Sequence, residues 1–328
     1  MSLKSVEEIL KSELKSFKCH LKDVVTSSDV IASLTEHFTG FQGKHLRPIL
    51  TMLSAKTVAP NKPFNENHFN LAVIVELLHN ATLVHDDVLD EAKLRRNVKT
   101  YNQRWGNEMA IIFGDYLFAR LFSRITKLES SKLLKDISDT ANRICLGELN
   151  HLLKRFDPYG LPEKEYLEII YNKTASLFAL STYLGAIAST KDKNFSYALK
   201  QYGKNFGMAY QIMDDYKDIA ISEKTSGKST GNDLFKGKIT LPIIWAIRNV
   251  SKTHRNKIKN ILFSVMLNGN SLSAKKKKLC KLLEQTGSLN YTHQQARNYV
   301  NLAIKALTVL KDSTYKELLA SLAISIIN

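Results

Sequence analysis

The sequence predicts one all-helical domain over residues 1–328, and three observations lead there. Apolar residues recur at spacings of three and four. In the run 166–189, for example, Leu167, Ile170, Ala175, Leu177, Leu180, Leu184 and Ile187 return to one side. The prolines stand only at 48, 60, 63, 158, 162 and 242, so the tracts 64–157, 163–241 and 243–328 are free of proline. No series of alternating strands joined by hairpin turns is found.

The breaks between helices fall where turn chemistry puts them. "VAPNKPFNEN" (58–67) separates two helices, "FDPYGLPEKEY" (156–166) separates two more, and "SEKTSGKSTGNDLFKGK" (222–238) reads as a long polar loop. Pro162, followed by Glu163 and Glu165, marks a helix start. With 44% hydrophobic residues in 328, the chain can bury a large core. No interdomain linker and no fixed-period repeat interrupts it.

No run approaches the roughly 20 apolar residues that span a bilayer, and no secretory leader opens the chain. Cys19, Cys145 and Cys280 are far apart and lack metal-ligand spacing, so they read as reduced thiols of a cytoplasmic protein. The net charge of +16 and blocks such as "AKKKKLCK" (274–281) raise the options of nucleic acid, an anionic membrane or phosphorylated substrates. A solvated lysine-rich helix face is the plainer reading of such blocks. No zinc-finger spacing or RNA-binding aromatic motif accompanies the charge, which argues against nucleic acid.

Chemistry concentrates in "HNATLVHDDVLDEAKLRR" (79–96). Asp86 and Asp90 lie one helical turn apart, about 6 Å of rise, and Asp87 is three residues from Asp90, so the carboxylates share one volume. Two like charges about 4 Å apart cost about 4 kcal/mol at an effective dielectric of about 20. Protons, cationic side chains or a metal must offset that cost, and oxygen-rich clusters suit Mg²⁺ bound jointly with substrate phosphates. Alone, such a motif is also what a solvated acidic helix end looks like. "AYQIMDDYKDIA" (209–220) repeats it with Asp214, Asp215 and Asp218, again after an apolar run. Two such faces are most simply explained as opposing each other across a cavity, sharing metals bound to a polyanion.

Cations gather near these motifs. They are Lys44 and Arg47 in "GKHLRP", Arg95 and Arg96 after the first acidic motif, Lys173 beside Thr174 in "NKTASLF", and Lys228 and Lys238 in the glycine-containing loop. Each is by itself an ordinary surface residue, but their placement suits phosphate contact. His79, two turns before Asp86, fits either a core histidine or a donor to a diphosphate.

In order, GKxxRP, ExxHxxxLxHDDxxD, RR, KTA, QxxDDxxD and GK…GxDLxxGKxTLP resemble the trans-isoprenyl diphosphate synthases, or polyprenyl synthetases, over about residues 40–242. "GSLNYTHQQARNYVNLAIKAL" resembles the C-terminal helices of that family, and the likeness is nearest to the bacterial long-chain branch, octaprenyl diphosphate synthases included. The resemblance implies a large antiparallel helical bundle around a deep central cavity, a homodimer, and a Mg²⁺-dependent prenyltransferase joining isopentenyl diphosphate to an allylic diphosphate, with farnesyl diphosphate the expected primer. It implies that Asp86, Asp90 and Asp214 hold about three Mg²⁺ ions, with Asp87, Asp215 and Asp218 in support. Arg95, Lys173, Lys228 and Lys238 would then neutralise the allylic diphosphate. Lys44, Arg47, His79 and Arg96 would bind isopentenyl diphosphate, while Gln211 and Thr174 face the allylic cation.

Product length is read one turn below the first motif. Ala81 and Thr82 are small where short-chain synthases often carry bulky aromatics, so the tunnel is expected to stay open. The expected product has about 40 carbons, for quinone side chains, and its release would bring peripheral membrane contact. Phe118 and Phe122 are candidates for the tunnel floor, although aromatics at this spacing are commonly plain core. A shorter-chain geranylgeranyl or farnesyl synthase is the nearest alternative, and a non-catalytic basic helical binding protein the more distant one. Four positions depart from the family pattern: Gln42 replaces a glycine, His45 an arginine, and in "RRNVKT", which stands for RRGxPT, Asn97 replaces a glycine and Lys99 a proline, which questions the turn after Arg96.

Overall fold

The computed structural model describes residues 3–26, 31–40, 43–154, 161–220, 238–267 and 272–328. Lys228 and Gln42 lie outside them. The described chain is almost wholly helical, as the periodicity predicts. Its helices are α1 Leu3–Ile9, α2 Lys11–Val25, α3 Ala32–Gly40, α4 Leu46–Val58, α5 Glu66–Leu89, α6 Tyr101–Trp105, α7 Asn107–Ile125, α8 Ser131–Leu153, α9 Glu163–Ile170, α10 Ser176–Ser189 and α11 Lys193–Ala220. After the 222–238 segment come α12 Leu241–Asn249, α13 Lys252–Leu267, α14 Leu272–Gln285, α15 Ser288–Ala306 and α16 Thr314–Ile324.

Contacts along the backbone group the chain into two compact units. One is drawn from Met1–Ala141, Leu177–Gly203 and Ile304–Ser325, the other from Asn142–Ser176, Lys204–Ala303 and Ile326–Asn328.

The first unit is built around α5. Asn65 caps its start, its side chain accepting from the His68 backbone N–H at 3.3 Å. Every residue from Leu71 to Leu78 is then buried, the mark of a helix enclosed on all sides. Helices α2, α4, α6 and α7 pack on it, and α16 packs on α4.

Two short strands, β1 Leu94–Arg95 and β2 Val98–Lys99, pair antiparallel after α5. The periodicity does not predict them. Arg96 and Asn97 form the two-residue turn with φ of 52° and 64°, the left-handed pair that a type I′ hairpin requires. Asparagine tolerates that region, so the turn closes without the family's glycine.

In the second unit, α12 packs on α9, α13 and α14. Helices α9 and α10 are not a simple continuation of one α-helix. Tyr171–Ala175 forms a π-helical turn between them, a widening that helices often carry at functional sites.

Candidate active site

Both acidic motifs sit at the C-terminal ends of long helices. Asp86 and Asp87 are in the last turn of α5, and Asp90 is its C-cap, with its N–H donating to the Asp86 carbonyl at 2.8 Å. Asp214, Asp215 and Asp218 fall in the last two turns of α11. A helix C-terminus carries partial negative charge, so carboxylates there are opposed by the dipole as well as by one another. Such an arrangement persists only with cations to answer it.

The middle aspartate of each motif is held by the protein. Asp87 is 4% exposed and accepts from Arg95 Nε at 3.0 Å on both oxygens and from Arg95 Nη2 at 2.8 Å. Burial lowers the Arg95 pKa, but the Asp87 hydrogen bonds and the charges of Asp87, Asp86 and Asp90 outweigh it, leaving a net rise. Asp215 is also 4% exposed, accepting on one oxygen from Tyr166 Oη and on the other from Gln211 Nε2, each at 2.7 Å. Asp86, Asp90 and Asp218 are half-buried, with Asp218 Oδ2 itself buried, and Asp214 is exposed.

A cationic cluster adjoins the first motif. The Arg96 guanidinium packs on Gly43, where a Cβ would come within 2.5 Å of Nη1, so a side chain at residue 43 would make the guanidinium shift. His45 adopts a left-handed backbone at the start of α4, and its Nδ1 donates to Glu76 Oε1 at 2.9 Å. Its ring meets Phe17 edge-on with centroids 5.4 Å apart. Arg47 lies over the Phe178 ring at 4.4 Å. Burial pushes the Glu76 carboxyl up, but the His45 hydrogen bond and the His45 and Arg47 charges outweigh it, so Glu76 sits below the usual carboxylate range. Loss of hydration, then the charges of Arg47, Arg95, Arg96 and His45, push His79 well below its ordinary value, so it is neutral at pH 7. Lys44 is exposed.

In the second unit, the π turn delivers Lys173 and Thr174. Lys173 pairs with Glu148 of α8. Gly147, next to it, lets the backbones approach, since a Cβ there would lie 2.7 Å from the Lys173 nitrogen. Thr174 Oγ1 donates to Gln211 Oε1 at 2.8 Å, joining Thr174, Gln211, Asp215 and Tyr166 in one chain. Lys238 is half-buried just before α12.

Of the expected length-setting residues, Ala81 is fully buried, and half-buried Thr82 turns its hydroxyl back to the His79 carbonyl at 2.8 Å. Phe118 packs towards α5 with its ring 6.0 Å from that of His85, and Phe122 is 53% exposed.

The structure thus brings Arg47, His79, Asp86, Asp87, Asp90, Arg95 and Arg96 into one electrostatic neighbourhood, and Lys173, Thr174, Gln211 and Asp215 into another. Among the described residues no three or more His, Cys, Asp or Glu side chains converge on one point. Donor sets of one or two accessible carboxylates fit a hard ion such as Mg²⁺ that completes its shell with water and substrate phosphate.

The sequence profile of the polyprenyl synthetases matches residues 28–283, most of the chain and all of these residues. The chain belongs to the polyprenyl synthetase family. Among the family's members, the all-trans-nonaprenyl-diphosphate synthase (geranyl-diphosphate specific) of Rhodobacter capsulatus is 37% identical over 294 residues, 89% of this chain and 87% of that one. A short chain isoprenyl diphosphate synthase of Methanothermobacter thermautotrophicus is 33% identical over 301 residues, 90% and 89% of the two chains. In structure, the polyprenyl synthase of Caulobacter crescentus, solved with calcium and isoprenyl diphosphate, superposes with a TM-score of 0.90 at 31% identity, covering 99% of this chain and 97% of that one. This polyprenyl synthetase is therefore a prenyltransferase of the all-α isoprenoid synthase fold.

Sequence reasoning passed over Glu148, Tyr166 and the Glu76–His45 pair as site residues. Glu76 had a signal, since it lies three residues before His79 on the face that leads to Asp86. Glu148 and Tyr166 reach the site from helices that carry no motif, and nothing in their local spacing marks them.

Proposed function

We propose that this chain is a long-chain all-trans polyprenyl diphosphate synthase, condensing isopentenyl diphosphate head to tail (1′–4) onto an allylic diphosphate, with farnesyl diphosphate as the expected primer. The observation that carries the proposal is the repeated arrangement of carboxylates at two helix C-termini, each with its middle aspartate locked to protein donors and its flanking aspartates more exposed. The whole chain serves as one catalytic domain. In support, both compact units are assembled from interleaved segments, so neither is a stretch that could be cut out.

In the condensation the C1–O bond of the allylic diphosphate breaks, and diphosphate leaves with the electron pair. The double bond of isopentenyl diphosphate supplies the pair for the new bond to C1, and the proton then lost goes to the released diphosphate. Asp86, Asp90 and Asp214, with Asp218 in support, would hold Mg²⁺, which would stabilise the leaving group electrostatically. Asp87 and Asp215 act from behind, by fixing Arg95 and Gln211. Arg95, Lys173, Lys228 and Lys238 neutralise the allylic diphosphate, and Lys173 must exchange Glu148 for phosphate to do so. Lys44, Arg47 and Arg96 hold isopentenyl diphosphate, with His79 as a neutral hydrogen-bonding partner. Thr174 and Gln211 face the developing allylic cation, which an apolar helical surround shields from water.

Small residues at Ala81 and Thr82 support a product of about 40 carbons, because no bulky ring intrudes one turn below Asp86. A quinone side chain is the use proposed for it. Apolar side chains left exposed on α7 and α8 (Ile111, Ile112, Leu146 and Leu149) support a homodimer. Among the described residues no helix is long and apolar enough to cross a membrane. Peripheral membrane contact for product release and a cytoplasmic setting complete the proposal, the latter supported by three free cysteines.

The test is incubation with Mg²⁺, farnesyl diphosphate and labelled isopentenyl diphosphate, followed by chromatography of the dephosphorylated products. A ladder ending at about eight isoprene units is expected from an open tunnel. A stop at four units would keep the chemistry and reject the long product, in line with the short-chain relative. No elongation from any allylic primer would reject the proposal.

A further inference from the structure

The hydrogen-bonded chain beside the second acidic motif has a direction that its chemistry dictates. Asp215 is 4% exposed, and its carboxylate accepts on both oxygens. Oδ2 takes the Tyr166 proton at 2.7 Å, and Oδ1 faces the Gln211 amide at 2.7 Å, so the amide must present its NH₂ there. The other end of the amide, Oε1, is then an acceptor and points to Thr174, 2.8 Å away. Thr174 has one hydroxyl proton, and Oε1 takes it. The Thr174 oxygen is left showing lone pairs to whatever approaches it.

We propose that Tyr166 is a positioning residue for prenyl transfer, acting through Asp215 and Gln211 to keep the Thr174 hydroxyl turned oxygen-first towards the electron-poor allylic carbon. This rests on the prenyl-transfer reading above and assigns a residue outside the motifs quoted for this sequence. Tyr166 is 3% exposed on α9, and its hydroxyl reaches Asp215 on α11 at 2.7 Å. Its O–H locks the carboxylate from the side opposite Gln211. Without it, Asp215 loses the hydroxyl donor at Oδ2, and the hold on the carboxylate opposite Gln211 is weakened. The amide then loses its reason to keep one orientation, and a flipped Gln211 donates to Thr174 and turns the hydroxyl proton outwards. A proton facing a developing cation opposes the charge that the oxygen would stabilise. The π turn at Tyr171–Ala175 belongs to the same device, since it carries Thr174 to Gln211.

The test is a double-mutant cycle between Tyr166→Phe and Thr174→Val, assayed with Mg²⁺, farnesyl diphosphate and isopentenyl diphosphate. Tyr166→Phe is expected to lower kcat about tenfold with both KM values within about twofold, because only the charge-separated state is affected. On the Thr174→Val background the same change is expected to cost less than about twofold, since Tyr166 acts through that hydroxyl. Thr174→Ser, which keeps the hydroxyl, retains most of kcat. An unchanged kcat in Tyr166→Phe, or a full tenfold loss on the Thr174→Val background, would overturn the proposal.

Asp215→Asn gives an independent check should Tyr166→Phe lose its helicity. An asparagine can donate to Gln211 and so reverse the chain. Its kcat should fall by a similar factor, while calorimetric binding of Mg²⁺ with inorganic pyrophosphate stays within about twofold of wild type. Loss of that binding would make Asp215 a metal ligand and overturn the positioning role. A wild-type chain that elongates no allylic diphosphate would remove the underlying reading, and this role with it, whereas active wild type with indifferent variants rejects the role alone.

Discussion

Arg95 grips Asp87 with two nitrogens, Nη2 at 2.8 Å and Nε at 3.0 Å, and so ties the hairpin after α5 to the last turn of that helix. The pair answers a buried charge where the helix dipole is hostile to one. Asp86 and Asp90, on either side, are more exposed than Asp87 and add their charges to its hold on Arg95. Lysine offers a point charge in place of a planar fork, so Arg95→Lys is not a conservative change here. The Asp87 side chain is 6% exposed and that of Arg95 31% exposed, which softens the cost. Arg95→Lys is expected to lower stability by about 1–2 kcal/mol. Urea unfolding checks this, and an unchanged midpoint would mean the fork contributes nothing.

The difference between flanking and middle aspartates separates two kinds of loss. Asp86→Ala and Asp214→Ala remove accessible carboxylates proposed to hold Mg²⁺, and should cost about a thousandfold in turnover with helicity intact. Asp87→Ala removes a buried partner and strands Arg95, so its thermal midpoint should fall well below that of Asp86→Ala. Steady-state kinetics beside thermal unfolding of the three variants decides it. Similar profiles for all three would erase the distinction.

The helical class was legible because period and proline spacing act over tens of residues, and so were the two acidic motifs, whose spacing is local. What escaped depends on contacts between distant segments. Glu148 and Lys173 are 25 positions apart along the chain and meet because Gly147 lets α8 close on the π turn. Tyr166 and Asp215 meet across α9 and α11, and no local spacing encodes that. The hairpin was missed for a different reason. Two strand residues on each side of a turn are too few to show alternation, and Arg96–Asn97 lacks the glycine that signals a type I′ turn.

His68 makes the first unit sensitive to acid. Burial, then the charges of Lys62 and Lys56, lower it from its ordinary 6.5 to about 4. Its ring closes the cap of α5 at Asn65, and its Nε2 lies 2.9 Å from the Ser189 hydroxyl. The unfolded chain takes up a proton near 6.5 and the folded chain only near 4, so between those values the unfolded state holds more protons. Stability should therefore fall as pH drops through that window and be unaffected by His68 above it. His68→Gln should flatten the thermal midpoint between pH 6.5 and pH 4, the interval set by the two pKa values. Parallel midpoint curves for the two proteins would show that His68 does not titrate as described.

Ala81 is the position at which product length and packing compete. It is fully buried, five residues before Asp86 on the same helix, in a stretch where α5 touches neighbours on several sides. A phenylalanine there must take space either from the chain of the growing product or from the core. If the space below the first motif is an open tunnel in the elongating enzyme, the ring enters it. Stability then changes little and the product shortens to about three or four isoprene units. If the site is plain core, the ring overpacks it at a cost of about 1–3 kcal/mol, and chain length stays as in the wild type. Measuring product length and thermal midpoint on one preparation of Ala81→Phe separates the two. A shortened product is expected, because the hydrocarbon tail must run down some face of α5 from Asp86, and Ala81 and Thr82 are the small side chains one turn along it. A wild-type ladder from a destabilised variant would move the tunnel to another face, with Phe118, which packs towards α5 through the His85 ring, the next residue to change.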